Sequence, residues 1–418
     1  MVIGKGSETG FVGEAEVREV VREALAAHDF RGKRVLLIVP DHTRTAPIPM
    51  FFRLLHEIIA PAAKKLDVLI ALGTHPPEEE ERIAELLGAG SDERARRFPG
   101  VEVFNHDWNN PSALREIGTI PAEEMARLSD GRMREALPVR LNRLIFEYDH
   151  LIIVGPTFPH EVVGFSGGNK YFFPGISGPD VINRTHWLGA LHTNPVINGT
   201  KKTPVRDVIN RAASFIKVPK LCFSLVGCHE GLRGVYAGTP EEAFEAAADL
   251  SAKVHIVYKE RSFKSVLSMS PPMYDDIWVG AKCMYKLEPV VADGGEVIVY
   301  APHIREISFT HGKALERVGY HTRDYFLEQM DKFRDVPLAV LAHSTHVKGI
   351  GTFENGIERP RITVTLATGL SEECCRRINL GYRDPKTIEP AKWEGREDEG
   401  LLLVRNAGER LYRLKSTR

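Results

Sequence analysis

Unbroken apolar runs that end on chemically active polar residues dominate the first two thirds of this chain. Arg34–Pro40 reads RVLLIVP, Asp67–Gly73 reads DVLIALG and Leu151–Val154 reads LIIV. A strand with one wet face alternates apolar and polar side chains, so runs without alternation need both faces covered. Amphipathic stretches separate them. Glu14 to His28 sets Val17, Val20, Val21 and Leu25 on one helical face, and helices are also expected from Pro47 to Ala60 and from Glu78 to Leu87. Further strand candidates are Val101–Phe104, Leu221–Val226, Val254–Tyr258, Val266–Met269, Val297–Tyr300, Leu338–Ala342 and Thr363–Leu366. This alternation predicts the α/β class. At 418 residues the chain exceeds one ordinary core, so the expectation is two α/β domains with largely parallel sheets and an active-site cleft between them. The polar stretch KERSFK at 259–264 marks a boundary, giving an N-terminal domain over 1–262 and a C-terminal domain over 263–385. The closing LLLVRNAGERLYRLK reads as a hairpin around Asn406–Gly408, and 386–418 is expected to rejoin the first domain.

Composition removes several classes of function. The 55 Lys+Arg and 56 Asp+Glu leave a net charge of -1, which argues against bulk capture of nucleic acid or an anionic membrane. No apolar run approaches the roughly 20 residues that span a bilayer. The opening MVIGKGSETGFVGEAEV lacks the apolar segment of a signal peptide. Five Cys, two of them adjacent at Cys374 and Cys375, with no CxxC pair, fit neither a disulfide framework nor a thiolate zinc site. A cytoplasmic enzyme acting on a small molecule, with no nucleic-acid or membrane partner, is expected.

Three runs lead directly into reactive residues. Arg34–Val39 leads to Asp41-His42-Thr43-Arg44, Asp67–Leu72 to Gly73-Thr74-His75, and Leu151–Val154 to a segment ending at His160. Ligands of open α/β sheets bind outside the carboxyl ends of the strands, so three such clusters converge on one crevice. Gly164–Lys170 (GFSGGNK) can present backbone N–H groups to a phosphate beside Lys170, although a plain tight turn explains the loop equally well. It is not a P-loop, because Asn169 and Tyr171 stand where that pattern needs Gly and Ser or Thr. His186 could ligate a borderline metal, yet the sequence supplies no HExxH and no carboxylate pair beside it. His106-Asp107-Trp108 reads as a structural turn, and Cys283 as packing.

Taken jointly, these motifs resemble the lactate racemase family. The resemblance rests on Asp41-His-Thr-Arg44, Gly73-Thr-His75-Pro, Pro159-His160 with Gly164–Lys170, Pro174-Gly175, His186, and Ala281-Lys282 after Ile277-Trp278. It implies a nickel-pincer nucleotide, a pyridinium-3-thioamide-5-thiocarboxylic acid mononucleotide that holds nickel by sulfur, carbon and sulfur. Lys170 then tethers the cofactor, which a host lacking the biosynthetic pathway would not supply. His186 is the fourth nickel ligand, and Gly167, Gly168, Asp41 and Thr43 contact the cofactor. His75 and His160 are the two acid–base groups that inversion of C2 in a 2-hydroxy acid requires. Arg44 holds the substrate carboxylate, Lys282 adds a second charge, and Trp278 lines the substrate side.

The chain departs from the lactate enzyme at Trp278-Val279, where that enzyme carries Tyr-Gln, and this implies a substrate other than lactate. Asn169 replaces a basic residue that often precedes the lysine. Arg184, Lys201, Lys202 and Arg305 are either solvated surface charges or partners for a second carboxylate. Two other functions share the same residues: a 2-hydroxy acid oxidoreductase that releases the keto acid, and a non-catalytic cofactor or ligand binder, against which two retained His speak. A covalent cofactor also implies transient contact with the proteins that make it.

Overall fold

The computed structural model describes residues 2–415 and divides into two compact units. The first comprises Met1–Phe158, Phe165–Ile182 and Lys201–Val254, and the second Pro159–Gly164, Asn183–Thr200 and His255–Arg418.

A seven-stranded sheet organises the first unit. In spatial order its strands are Ile3–Gly6, Gly231–Gly238, Lys220–Cys228, His150–Pro156, Arg34–Pro40, Lys65–Ala71 and Val103–Asn105. The last five run parallel, and the first two add an antiparallel edge. Val35, Leu37, Val39, Ile152 and Val154 form one core with Val17, Val21, Phe51 and Leu55 from helices Glu14–Ala26 and Ile48–Ile59. The alternate positions Leu36, Ile38, Leu69 and Ile153 are buried as well, which is why these runs do not alternate. From Arg34–Pro40 the chain proceeds to Lys65–Ala71 on one side, while His150–Pro156 lies on the other. The connections therefore diverge above Pro40 and Pro156, and such a switch point opens a crevice at the strand ends.

The second unit carries five parallel strands in the order Gly381–Tyr382, Thr363–Thr368, Val291–Ala301, Phe263–Met269 and Leu401–Val404. Leu267, Ile298 and Ala367 share a core cluster. Three expectations change here. Leu338–Ala342 is not a strand but the start of helix Leu338–Lys348, whose residues from Ala339 to Val347 are all buried. A helix buried all round has no apolar stripe, so a short window of it reads like a buried strand. The closing segment is no hairpin and does not rejoin the first unit. Leu401–Val404 pairs in parallel with Ser265–Ser268, and Leu411–Leu414 with Ile256–Lys259. Each closing strand satisfies its backbone on a second-unit strand, so residues 386–418 belong to that unit. The boundary falls after Val254 rather than 262, and 159–164 and 183–200, with His160 and His186, lie in the second unit. Among the described residues no helix is long and apolar enough to cross a membrane.

Candidate active site

At the switch point of the first unit, Arg34–Pro40 runs into Asp41–Arg44 and Lys65–Ala71 into Leu72–His75. Asp41 is only 3% exposed, and its carboxylate is divided between two partners. Oδ2 lies 3.0 Å from His75 Nδ1. Oδ1 accepts the Thr43 N–H at 2.9 Å and the Thr43 hydroxyl as well. Burial pushes this carboxyl upward, but the charges of His75 and Arg44, with the hydrogen bonds from His75 and Thr43, hold it well below the usual range. An ionised Asp41 takes the Nδ1–H of His75, which places the lone pair of the neutral ring on Nε2. Arg44 Nη1 donates to Thr43 Oγ1 at 2.5 Å, and its guanidinium carbon lies 6.0 Å from the centre of the Phe158 ring. Gly73 donates its N–H to the Gly175 carbonyl at 2.9 Å, joining two of the sequence motifs.

A second carboxylate–imidazole pair stands beside the first. Glu78 lies 2.7 and 2.9 Å from His42 Nδ1 through its two oxygens, and Oε1 accepts the His42 N–H at 3.0 Å. This hydrogen bonding raises the pKa of His42. The sequence gives little warning of Glu78, the first of four consecutive Glu that read as a solvated helix start. Its 7% exposure sets it apart.

Lys170 is half-buried in a short turn of helix, Gly168–Tyr171. Gly167 and Gly168 precede it with φ of 95° and 58°, backbone that favours glycine. A Cβ on Gly167 would stand 2.1 Å from Thr157 Oγ1, and one on Gly168 2.7 Å from the Pro240 carbonyl. The Gly168 N–H is directed at the Cys222 thiol. Asn169 Nδ2 donates to Asn210 Oδ1 at 3.1 Å and to Glu241 Oε1 at 2.6 Å. Beneath the loop, buried Arg206 donates to the Gly167 carbonyl at 3.0 Å and to the Phe165 carbonyl, with its guanidinium 3.9 Å from the centre of the Phe244 ring. Burial lowers its pKa to about 9, so it is still a cation at neutral pH. The loop is thus a braced platform under Lys170, and Arg206, 36 residues on, carries no motif that announces it.

The second unit holds the other predicted residues. His160 is 8% exposed, and its Nδ1 lies 3.1 Å from the Val162 amide nitrogen and 3.3 Å from Glu161 Oε2. His186 is half-buried on helix Pro179–His192. Gly189, on the same helix, permits close approach to this segment, since a Cβ there would meet the Val162 carbonyl at 2.8 Å. His343 and His346, on helix Leu338–Lys348, are buried and within electrostatic reach of His186. Burial holds His343 well below its ordinary value and His346 at about 4, so both rings are neutral at neutral pH. Trp278 is half-buried and stacks on His343 with ring centres 4.0 Å apart, and on its flank His311 lies at 4.4 Å. Asp276 fixes this tryptophan's turn by accepting the Val279 N–H at 2.8 Å. Lys282 is 9% exposed, with Nζ 4.6 Å from the centre of the Tyr274 ring. His160, His186 and Trp278 therefore share one neighbourhood in this unit, linked through Glu161, His346 and His343. Asp41, Thr43, Arg44, His75, Gly167, Gly168 and Lys170 are placed in the first unit.

Several other residues are held by packing, hydrogen bonds or ion pairs. His106 is 1% exposed, with Nε2 3.0 Å from the Ser177 carbonyl and Nδ1 3.0 Å from Asn142 Nδ2. Cys283 is wholly buried, which pushes its thiol up to about 12. Lys201 pairs with Glu245 and Asp249 as an ordinary surface charge.

Residues 12–197 match the lactate racemase N-terminal domain. The lactate racemase of Thermoanaerobacterium thermosaccharolyticum is 26% identical over 285 residues, covering 64% of this chain and 60% of that enzyme. The lactate racemase of Lactiplantibacillus plantarum is 25% identical over 281 residues, covering 65% of this chain and 61% of its own length. This chain thus spans about three fifths of the length of these curated relatives. A structural-genomics protein from Thermotoga maritima superposes with a TM-score of 0.90 at 32% identity, covering 98% of this chain and all of its own. The lactate racemase apoprotein of T. thermosaccharolyticum superposes with a TM-score of 0.70 at 18% identity, covering 100% of this chain and 94% of that one, a likeness of fold. Motifs at the strand ends, the matched N-terminal domain and the curated relatives agree: residues 12–197 match the lactate racemase N-terminal domain, and the chain is similar to the lactate racemases.

Proposed function

We propose that the protein is a racemase or epimerase that inverts C2 of a small 2-hydroxy acid other than lactate, with a nickel-pincer nucleotide as its resident cofactor. The observation that carries this reading is the Asp41–His75 pair at 3.0 Å, which leaves His75 Nε2 as a proton acceptor. His160, a second buried imidazole, meets the need for a group serving the other enantiomer. The donor chemistry fits the cofactor. Lys170 offers a primary amine on a braced loop, and His186 a single imidazole. Among the described residues no three His, Cys, Asp or Glu are grouped to hold a bare metal ion, so a metal on His186 would draw its other donors from a bound organic group.

When bound, the cofactor supplies a hydride acceptor for C2. Lys170 would hold it covalently, His186 would ligate its nickel, and Asp41 and Thr43 would contact it at the strand end. His75 Nε2 would take the substrate hydroxyl proton while Asp41 fixes the ring and stabilises the imidazolium. His160 would return a proton to the keto oxygen, and the two imidazoles would exchange roles for the opposite enantiomer. Arg44 would bind the substrate carboxylate, Lys282 would add positive charge, and the Trp278–His343 stack would form the wall against the C3 substituent. Loading the tether requires transient contact with cofactor-biosynthesis proteins.

Chiral analysis of single-enantiomer lactate, malate, 2-hydroxyglutarate, phenyllactate and sugar acids with cofactor-loaded enzyme tests the proposal. Inversion of one acid other than lactate, without keto acid build-up, is the expected result. His75→Ala and His160→Ala should each lower kcat by about 10²- to 10⁴-fold, the usual range for a lost acid–base group. No inversion across the panel, with the cofactor shown present by mass, overturns the reading.

A further inference from the structure

We infer that Glu161 is a positioning residue for His160, fixing which ring nitrogen carries the proton. The inference rests on the reading of His160 as an acid–base group. The two imidazoles differ at Nδ1. His75 presents Nδ1 to a carboxylate oxygen at 3.0 Å. His160 presents Nδ1 to neighbours of opposite demand, the Val162 N–H at 3.1 Å and Glu161 Oε2 at 3.3 Å. An amide N–H needs a lone pair there, a carboxylate needs an N–H, and one protonation state cannot serve both.

The consequences for chemistry at Nε2 are opposite. Bonded to Val162, the neutral ring keeps its proton on Nε2 and can neither accept the substrate hydroxyl proton nor donate its own without becoming an imidazolate. Bonded to Glu161, Nδ1 carries the proton, and Nε2 holds a lone pair in the neutral ring or a second proton in the imidazolium. Those are the two states an acid–base group must visit. The change of tautomer moves one proton from Nε2 to Nδ1 and neither gains nor loses any. A hydrogen bond to an ionised carboxylate is roughly twice as strong as one between neutral groups, so Glu161 prevails over the amide. The Glu161 side chain is 16% exposed, and its charge is also felt by buried His346, which sets it inside the same neighbourhood. Glu161 thereby does for His160 what Asp41 does for His75.

Nitrogen-15 NMR of the histidine rings in the full-length, cofactor-free chain tests this, with the His160 signals assigned by their loss in His160→Gln. The parent should show His160 protonated at Nδ1, Glu161→Ala should move it to Nε2, and Glu161→Asp should restore it. The His75 signals and the melting temperature should stay unchanged in all three. A His160 tautomer that is the same in parent and Glu161→Ala overturns the inference. In cofactor-loaded enzyme, Glu161→Ala should lower kcat about 10²-fold with little change in KM, as expected when acid–base catalysis is disabled. A tautomer shift with inversion unimpaired would uphold the pairing and overturn the acid–base role of His160, so the two failures are distinct.

Discussion

His75 and His106 each follow a parallel strand of the same sheet, yet their surroundings give them opposite behaviour. His75 faces an ionised carboxylate, whereas His106 is enclosed and bonded to the Ser177 carbonyl and Asn142. Burial lowers the His106 pKa from 6.5 to about 4, so the folded protein holds it neutral. Between those values the unfolded chain binds more protons than the folded one, and stability falls as pH falls. Denaturant unfolding should show His106→Asn losing less stability than the parent between pH 7 and pH 5, by about 2 kcal/mol from the size of this shift. Equal losses in the two proteins would remove His106 as the cause. The apolar runs that lead into Asp41–Arg44 and Gly73–His75 were legible in the sequence, and His160 lies six residues past the third run. Glu78, Glu161 and Arg206 were not legible, since an acidic run, a neighbour's side chain and a partner 39 residues away carry no periodic signal.

The parallel strands were readable because burial on both faces writes an unbroken apolar run. Helix Leu338–Lys348 was misread for the same reason, because total burial erases the period that separates helix from strand. Pairing is less legible still, since Leu401–Val404 shows its apolar character but not which edge it joins. The element most exposed to a single change is the loop beneath Lys170. Arg206→Met would take the Arg206 donor from the buried Phe165 carbonyl and leave the Gly167 carbonyl with the long Lys170 N–H bond at 3.3 Å. Each buried unsatisfied group costs about 1–3 kcal/mol, so unfolding stability should drop by about 3 kcal/mol. Under the proposed tether, intact-mass spectra of cofactor-loaded protein should also show less adduct on Lys170, and a variant as stable and as fully loaded as the parent would remove Arg206 as the brace.

The chain passes between the two units after residues 158, 164, 182, 200 and 254. Neither unit is therefore a continuous piece of sequence. Asn194 donates to the Tyr285 carbonyl at 2.7 Å, Arg323 to the Leu191 carbonyl at 3.1 Å, and Ala339 to Asn183 Oδ1 at 3.0 Å. A fragment ending at Val254 keeps residues 183–200 but loses every one of these partners. Such a fragment should melt without a cooperative transition and bind a hydrophobic dye, as circular dichroism and dye fluorescence would report; a sharp two-state melt would show that the first unit tolerates the orphaned segment. The parallel pairing of Leu411–Leu414 with Ile256–Lys259 has a consequence in time. On the ribosome, every strand of the first sheet has been made once residue 238 is polymerised, whereas the second unit waits for the final residues before its last strand can dock. During translation, the platform under Lys170 can thus mature well before the surroundings of His160 and His186.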